Sequence, residues 1–167
     1  MKEKRSIRIG CASGFWGDTS TAAKQLVEKG KIDYLVFDFL AEVTMSILAR
    51  AKMKDSTMGY ATDFVDQISP LLKTIKDKNI KVLSNAGGIN PIECKNVLEK
   101  IAKESKISLN IATVIGDDLT PKIPKLKSLG IVEMEDNSKL PESYLSVNAY
   151  LGAPAIVEAL SRGADVV

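Results

Sequence analysis

Two acidic side chains near the end of an apolar stretch have the right chemistry for proton transfer. The stretch is Asp33 to Phe39 (DYLVFDF), and it contains Asp38 and runs into a helix whose first turn carries Glu42. A carboxylate at the tip of a strand can serve as a general base or as a ligand for a hard cation. The structural alternative is that an acidic residue in the first turn of a helix interacts with the helix dipole. We predict Asp38 and Glu42 as catalytic residues.

A second stretch, residues 81–94 (KVLSNAGGINPIEC), is typical of a strand, a glycine turn and the start of a helix. Asn90 has the chemistry of a helix cap, and Pro91 suits the first helical position. Backbone N–H groups at such a helix N-terminus bind anions and carboxylates. We predict that the following residues of this stretch bind the substrate: Asn85, Gly87, Gly88 and Asn90.

Four more polar side chains follow or interrupt apolar runs. Ser13 follows SIRIGCA, Asp117 and Asp118 follow LNIATVI, and Asn148 lies within YLSVNAY. The two aspartates also suit a helix cap, and together with Asp38 they would make an oxygen-rich site for Mg²⁺, although their spacing does not require one. We therefore assign no metal ligand. We predict that Ser13, Asp117 and Asn148 bind the substrate.

The elements that must position these residues alternate between strand and helix. Such alternation is typical of an open, mostly parallel sheet with helices on both faces, and we predict a Rossmann-like α/β fold. The predicted strands are residues 6–12, 33–39, 80–85, 109–115, 144–150 and 164–167. Ligands of open parallel sheets bind beyond the carboxyl ends of the strands, so these loops are expected to meet at one site. A helical stripe from Tyr60 to Ile75 contains Pro70, where we expect a break.

Composition narrows the class of protein. The 167 residues suit one α/β domain, and because the chain stops inside a predicted strand we expect residues 1–167 to be the amino-terminal part of a longer protein. The 23 Lys and Arg nearly balance the 21 Asp and Glu, which argues against nucleic acid as a partner. No apolar run reaches the length of a membrane span, so we expect a cytoplasmic protein without a membrane partner.

The two cysteines and the missing histidines restrict the chemistry further. Two cysteines, Cys11 and Cys94, are too few and too far apart for a metal knuckle or a disulfide framework. Histidine is absent, so any acid/base chemistry within these residues must use other groups, such as carboxylates.

Several segments resemble the amino-terminal region of the acyclic terpene utilisation family. The most specific strings are LAEVTM at 40–45, NAGGINP at 85–91 and NAYLGA at 148–153, and IRIGCASGFWGD at 7–18 also matches. The resemblance covers nearly the whole chain. It implies a role in the bacterial breakdown of branched acyclic terpenoids such as citronellol and geraniol, a route that runs through acyl-CoA intermediates. It supplies no established catalytic residue.

Two functions follow from the resemblance and the predicted site together. The first is an enzyme that acts on a branched, terpenoid-derived acyl or acyl-CoA substrate, by a reaction that the residues do not specify. The second is a non-catalytic ligand-binding or assembly subunit of the same pathway. In both, the expected partner is a small-molecule carboxylate or acyl-CoA, and a homo-oligomer is left open as the assembly state.

Overall fold

The computed structural model describes residues 6–167, in which short strands alternate with helices. The strands are β1 (Ile9–Ser13), β2 (Tyr34–Phe37) and β3 (Lys81–Ser84). The helices are α1 (Ala22–Lys29), α2 (Glu42–Lys54), α3 (Thr62–Ile68), α4 (Leu72–Asp77), α5 (Pro91–Glu104), α6 (Ile123–Ser128) and α7 (Pro154–Ser161). Two 3₁₀ turns, Ser69–Leu71 and Thr120–Lys122, lead directly into α4 and α6.

The three strands form an open parallel sheet in the order β1–β2–β3. Two further segments extend it beyond β3. Val166 forms a parallel bridge with Val82, and Ile111 forms another with Val166. The predicted strands at 109–115 and 164–167 therefore lie in the plane of the sheet, but each takes part through isolated bridges instead of a full ladder. The α/β class of the prediction is confirmed.

A buried carboxylate holds the segment 164–167 between its neighbours. Asp165 is only 5% exposed and accepts hydrogen bonds from Lys76 Nζ at 2.7 Å and Lys81 Nζ at 2.9 Å. It also accepts the backbone amide of Asn110 at 3.0 Å. Burial alone would raise the pKa of Asp165, but these hydrogen bonds outweigh it and lower that pKa to about 2. One side chain thus joins β3, α4 and the segment that contains Asn110.

The first two strands bury one face of the sheet more completely than the other. Leu35 and Phe37 on β2 are buried, whereas Ile9 on β1 is 66% exposed and Cys11 is also exposed. Such alternation is typical of a sheet with one solvated face. The two faces of this part of the sheet are therefore buried unequally. Val36, on the more open face of β2, is half-buried.

Three phenylalanines pack together beneath the carboxyl end of β2. The ring of Phe37 stacks on Phe39 with centroids 5.5 Å apart and meets the edge of Phe64 at 5.1 Å. Aromatic rings bury a large apolar area and prefer these offset and edge-on arrangements. Because Asp38 lies between two of these anchored rings in the sequence, its backbone is fixed on both sides.

The predicted break at Pro70 is confirmed. Helix α3 ends at Ile68, a 3₁₀ turn carries the proline, and α4 begins at Leu72. A proline inside a helix removes one backbone hydrogen bond and crowds the preceding turn. The apolar stripe nevertheless continues through the break, since Ile68, Leu72 and Ile75 are fully buried.

All the helices in residues 6–167 are short. The longest, α5, has 14 residues, whereas a bilayer span needs about 20 apolar residues. Within this range no helix is long and apolar enough to cross a membrane.

Candidate functional site

A cavity of about 870 Å³ lies beyond the carboxyl ends of β2 and β3. It is bounded on the sheet side by the last residues of these strands and on the other sides by α2, α5 and the segment 146–152. All but two of the predicted site residues line it: Asp38, Glu42, Asn85, Gly87, Gly88, Asp117 and Asn148. Residues far apart in the sequence therefore share one cavity. Their roles in binding and catalysis stay predictions.

Asp38 and Asn85 are joined directly at the tips of neighbouring strands. Phe37 and Ser84 are paired residues of β2 and β3, so the residues that follow them are adjacent. Asn85 Nδ2 donates to Asp38 Oδ1 at 2.7 Å, and Asn85 Oδ1 accepts the amide of Phe39 at 2.8 Å. A backbone N–H can only donate, which fixes the orientation of the Asn85 amide. The carboxylate of Asp38 is consequently held in one orientation at the exposed edge of the cavity.

Glu42 is the first residue of α2 and reaches the same cavity. Its backbone carbonyl accepts the hydroxyl of Ser46 at 3.1 Å, but no hydrogen bond or ion pair to its carboxylate is found within residues 6–167. Glu42 is exposed. The cavity thus has one carboxylate held by a neighbour, Asp38, and a second, Glu42, without such a partner within residues 6–167.

The two glycines of the turn after β3 allow α2 and α5 to approach closely. A Cβ atom on Gly87 would lie 2.6 Å from Pro91 Cβ. Gly88 has φ +52°, and a Cβ atom there would collide with Leu48 Cδ1 and lie 2.9 Å from the Gly59 carbonyl oxygen. Only glycine fits at such positions without a shift of the backbone. These residues therefore shape the wall of the cavity.

Most of the backbone amides in this turn are already used. Gly88 N–H donates to the Asn85 carbonyl at 3.1 Å, Ile89 N–H to Gly59 at 2.9 Å, and Asn90 N–H to Gly87 at 2.9 Å. A donor that is already paired cannot also bind an anion well. The expectation that this turn exposes several free N–H groups is therefore wrong for these three amides.

Asn90 lies outside the cavity lining and does not cap α5 with its side chain. Its Nδ2 instead donates to the carbonyls of Ser56 at 2.9 Å and Met58 at 2.8 Å. The Glu93 carboxylate, in the first turn of α5, accepts a hydrogen bond from Asn96 at 3.2 Å. The two hydrogen bonds from Asn90 Nδ2 fix the orientation of the Asn90 side-chain amide, and in that orientation its Oδ1 does not cap the helix. Asn90 therefore fastens the loop before α3.

Ser13 also lies behind the cavity rather than on its surface. It is 3% exposed, and its carbonyl accepts the amide of Asp38 at 3.1 Å. Its hydroxyl has no hydrogen-bond partner within the described residues. Ser13 thus supports the backbone of Asp38 from β1.

Asp117 and Asn148 form a second carboxylate–amide pair in the cavity. Asn148 Nδ2 donates to Asp117 Oδ2 at 2.8 Å, and the backbone amide of Ala149 donates to the Asp117 carbonyl at 2.9 Å. The predicted strand at 144–150 pairs here with residues 117–119 in antiparallel fashion, and not with the parallel sheet. Asp118 has another task, because its Oδ1 accepts the amide of Thr120 at 2.9 Å.

The comparison with protein families decides the identity of the chain. A family model described as acyclic terpene utilisation family protein AtuA matches residues 7–167. The chain belongs to this family. Membership implies involvement in acyclic terpene utilisation. No curated protein and no solved structure matches the chain, so the Rossmann-like connectivity stays a prediction.

The Mg²⁺ site considered for this family member is not formed by its acidic residues. Within residues 6–167 no three carboxylate or cysteine groups lie close enough to hold a metal ion. Asp38 and Asp117 each engage one oxygen with an asparagine, and Asp118 is used in its own turn. An oxygen cage for Mg²⁺ needs carboxylates that converge on one point.

Two further side chains of α5 line this family member's cavity. Lys95 of α5 lines it and lies 3.4 Å from Glu99, and Cys94 beside it is 4% exposed. Burial raises the pKa of the Cys94 thiol to about 12, which keeps it neutral and agrees with a packing role. Cys94 and Lys95 lie three and four residues after Pro91 and therefore share a helix face with it. This spacing could have indicated that they line the same cavity as Pro91.

Proposed function

We propose that this protein is an enzyme of acyclic terpene catabolism that acts on a branched, terpenoid-derived acyl or acyl-CoA substrate. Asp38 would be the group that takes a proton from the substrate. One observation carries the proposal: Asp38 is oriented by Asn85 at the edge of a cavity that also holds Glu42. A general base needs this kind of fixed position next to a space for the reacting atom.

The apolar part of the lining supports a branched hydrocarbon chain as the buried portion of the substrate. Its side chains come from four parts of the chain that meet at the cavity: Leu40, Met45, Ile111, Val114 and Ile156. Burial of apolar surface stabilises a complex by roughly 25 cal/mol per Å². Methyl branches increase the apolar surface that a ligand can bury in such a cavity.

The charges of the lining favour an uncharged acyl group over a free carboxylate. Asp38, Glu42 and Asp117 line the cavity, whereas Lys95 is the one cation of the lining within residues 6–167 and has Glu99 beside it. A ligand carboxylate would be repelled by these three acidic side chains. Among the acyl classes expected from the family, a thioester fits this surface better than its free acid.

The roles of the two acids can be separated by conservative substitutions in the full-length protein. Asp38→Asn and Glu42→Gln remove charge with little change in shape, and Glu104→Gln, at the exposed end of α5, is the matched control. We expect Asp38→Asn to lower turnover by about 10²-fold or more with thermal stability within a few degrees of the native protein. Glu42→Gln tests the alternative base in the same assay.

Binding is measured separately by calorimetric titration with branched acyl-CoA thioesters and with the corresponding free acids. The proposal expects thioester binding that exceeds binding of the acids. Full turnover in both Asp38→Asn and Glu42→Gln would contradict a catalytic role for these carboxylates.

A second function, a non-catalytic ligand-binding subunit, is favoured by one feature. The sequence contains no histidine, the residue most often used for proton transfer near neutral pH. Thioester binding without any turnover by the full-length protein would support this function over the first.

A further inference from the structure

Two side-chain pairs with the same chemistry line the cavity from different parts of the chain. Asp38 is held by Asn85 at 2.7 Å, and Asp117 is held by Asn148 at 2.8 Å. In each pair the amide donates to one carboxylate oxygen and leaves the other oxygen as an acceptor. In the proposed function, the first pair contacts the reacting end of the substrate. The second pair has no role in that proposal.

Asp117 is positioned by hydrogen bonds of its backbone and of its side chain. Its backbone carbonyl accepts the amide of Ala149, and the next residues continue this pairing, with the amide of Leu119 donating to Val147 at 2.8 Å. Asp117 is half-buried. Within residues 6–167 its carboxylate has no hydrogen bond or ion pair other than the one from Asn148. A fixed acceptor in a cavity is complementary to a ligand group that donates a hydrogen bond.

The surroundings decide which kind of donor fits. An ammonium group would have to lose its hydration beside Ile111, Val114 and Ile156, and burying a full charge next to apolar side chains is costly. A carboxylate would be repelled by Asp117. A hydroxyl group donates one hydrogen bond at a much smaller desolvation cost, and a bond to an ionised acceptor is stronger than one to a neutral acceptor.

The order of segments in the sheet indicates where on the substrate this hydroxyl lies. β2, which leads to Asp38, is separated from the segment 109–112, which leads to Asp117, by β3 and by residues 164–167. Neighbouring strands are about 4.8 Å apart, so the two segments are about 14 Å apart across the sheet. A substrate that spans the cavity from one of these segments to the other must therefore be extended.

We propose that Asp117, held by Asn148, accepts a hydrogen bond from a hydroxyl group at the end of the substrate remote from the acyl carbon. The substrate class is then a branched acyl thioester with a distal hydroxyl. This inference rests on the proposed function, because it takes the same cavity as the substrate site. It makes Asp117 a determinant of specificity.

The test compares two N-acetylcysteamine thioesters of one branched acid, with and without a distal hydroxyl, by calorimetric titration of the full-length protein. We expect the hydroxylated thioester to bind the native protein about tenfold more tightly. Asp117→Asn removes the charge that strengthens this bond and should abolish most of the preference. Asp118→Asn, whose side chain is used in its own turn, is the matched control and should keep the preference.

The outcomes separate this inference from the proposed function. Equal binding of both thioesters to the native protein, or an unchanged preference in Asp117→Asn, overturns the inference while thioester binding itself still supports the proposed function. Binding of neither thioester contradicts both. If Asp117→Asn fails to fold by circular dichroism, Asn148→Ala provides the same test, since it releases the Asp117 carboxylate without changing its charge.

Discussion

The side-chain amide of Asn85 donates to Asp38 while its carbonyl oxygen accepts the amide of Phe39, so the end of β3 orients the carboxylate at the end of β2. These two hydrogen bonds are linked. Turning the Asn85 side-chain amide over would place its Nδ2 donor against the N–H donor of Phe39. Asn85 therefore orients Asp38 through one contact with its carboxylate and a second contact with the backbone of the next residue, Phe39.

Replacing Asn85 by aspartate should make the stability of the fold depend on pH at this site. The new carboxylate would face Asp38 across a hydrogen-bonding distance, and two such groups repel unless they share a proton. Their shared pKa would rise in the folded state, so stability should be lost at neutral pH, by about 1–3 kcal/mol, and partly regained as the pH falls through that raised value. Urea unfolding of Asn85→Asp and Asn85→Ala at pH 7 and pH 5 measures this.

The Asn85→Ala variant lacks the second carboxylate and serves as the comparison. It should be destabilised at both pH values by about 1–2 kcal/mol through the unpaired Phe39 amide. A similar response of the two variants to pH would show that Asp38 and residue 85 are not in contact.

The acid sensitivity of the fold should depend on Asp165. Its pKa is lowered from 3.8 to about 2 by lysine and amide donors that outweigh its burial, so its ionised form stabilises the folded state. A lowered folded pKa gives stability that is present above the unfolded value and lost as the pH falls from about 4 to about 2. The expected loss is about 2 kcal/mol.

Asp165→Asn should therefore lower the free energy of unfolding at pH 7 and flatten its decline on acidification. Asp77→Asn, at an exposed ion pair with Lys73, is the control and should change stability by less than about 0.5 kcal/mol. Guanidinium unfolding over pH 7 to 2 gives both values. If the free energy of unfolding of Asp165→Asn depends on pH as that of the native protein does, the stabilising role of the Asp165 carboxylate is contradicted.

Gly88→Ala should be strongly destabilising. The alanine would adopt φ +52° and meet both Leu48 Cδ1 and the Gly59 carbonyl, for an expected loss of about 2–4 kcal/mol. Gly130→Ala has a similar φ of +69° but open space around it, and should lose only about 1 kcal/mol. Adding Leu48→Ala to Gly88→Ala should relieve part of the clash, which a double-mutant cycle from thermal unfolding detects.

The two cysteines should react at very different rates. Cys11 is exposed, whereas Cys94 is buried and its pKa is raised to about 12, so almost none of it is thiolate at pH 8. Iodoacetamide followed by mass spectrometry should label Cys11 first and Cys94 only after denaturant is added. Labelling of both at equal rates in the native protein would contradict the burial of α5 against the core.

The meeting of the loops at one cavity could be inferred from the sequence because parallel strands place their carboxyl ends at one edge. The end of an apolar run comes at or shortly before each of Asp38, Asn85 and Asp117. That local pattern was sufficient to predict that the three residues meet at one site. The pairing of Asp38 with Asn85 was not predictable. It depends on the relative register of β2 and β3, which neither stretch encodes alone.

The errors also have a common physical cause. Asn90 has every local feature of a helix cap, yet its amide group bonds to Ser56 and Met58, which only the tertiary structure brings near. The amide of Ile89 is likewise taken by Gly59, which lies thirty residues earlier. Patterns within one segment describe which groups are available, and contacts from distant segments decide how those groups are used.

The position of residues 164–167 between β3 and the segment 109–112 has a consequence for how the chain acquires its structure. A nascent polypeptide that has emerged only as far as residue 112 has both flanking segments but lacks the piece that lies between them. The edge of β3 must then remain open to other chains until more than fifty further residues have been synthesised. During synthesis the edge of β3 can therefore pair with another chain before residues 164–167 are available to cover it.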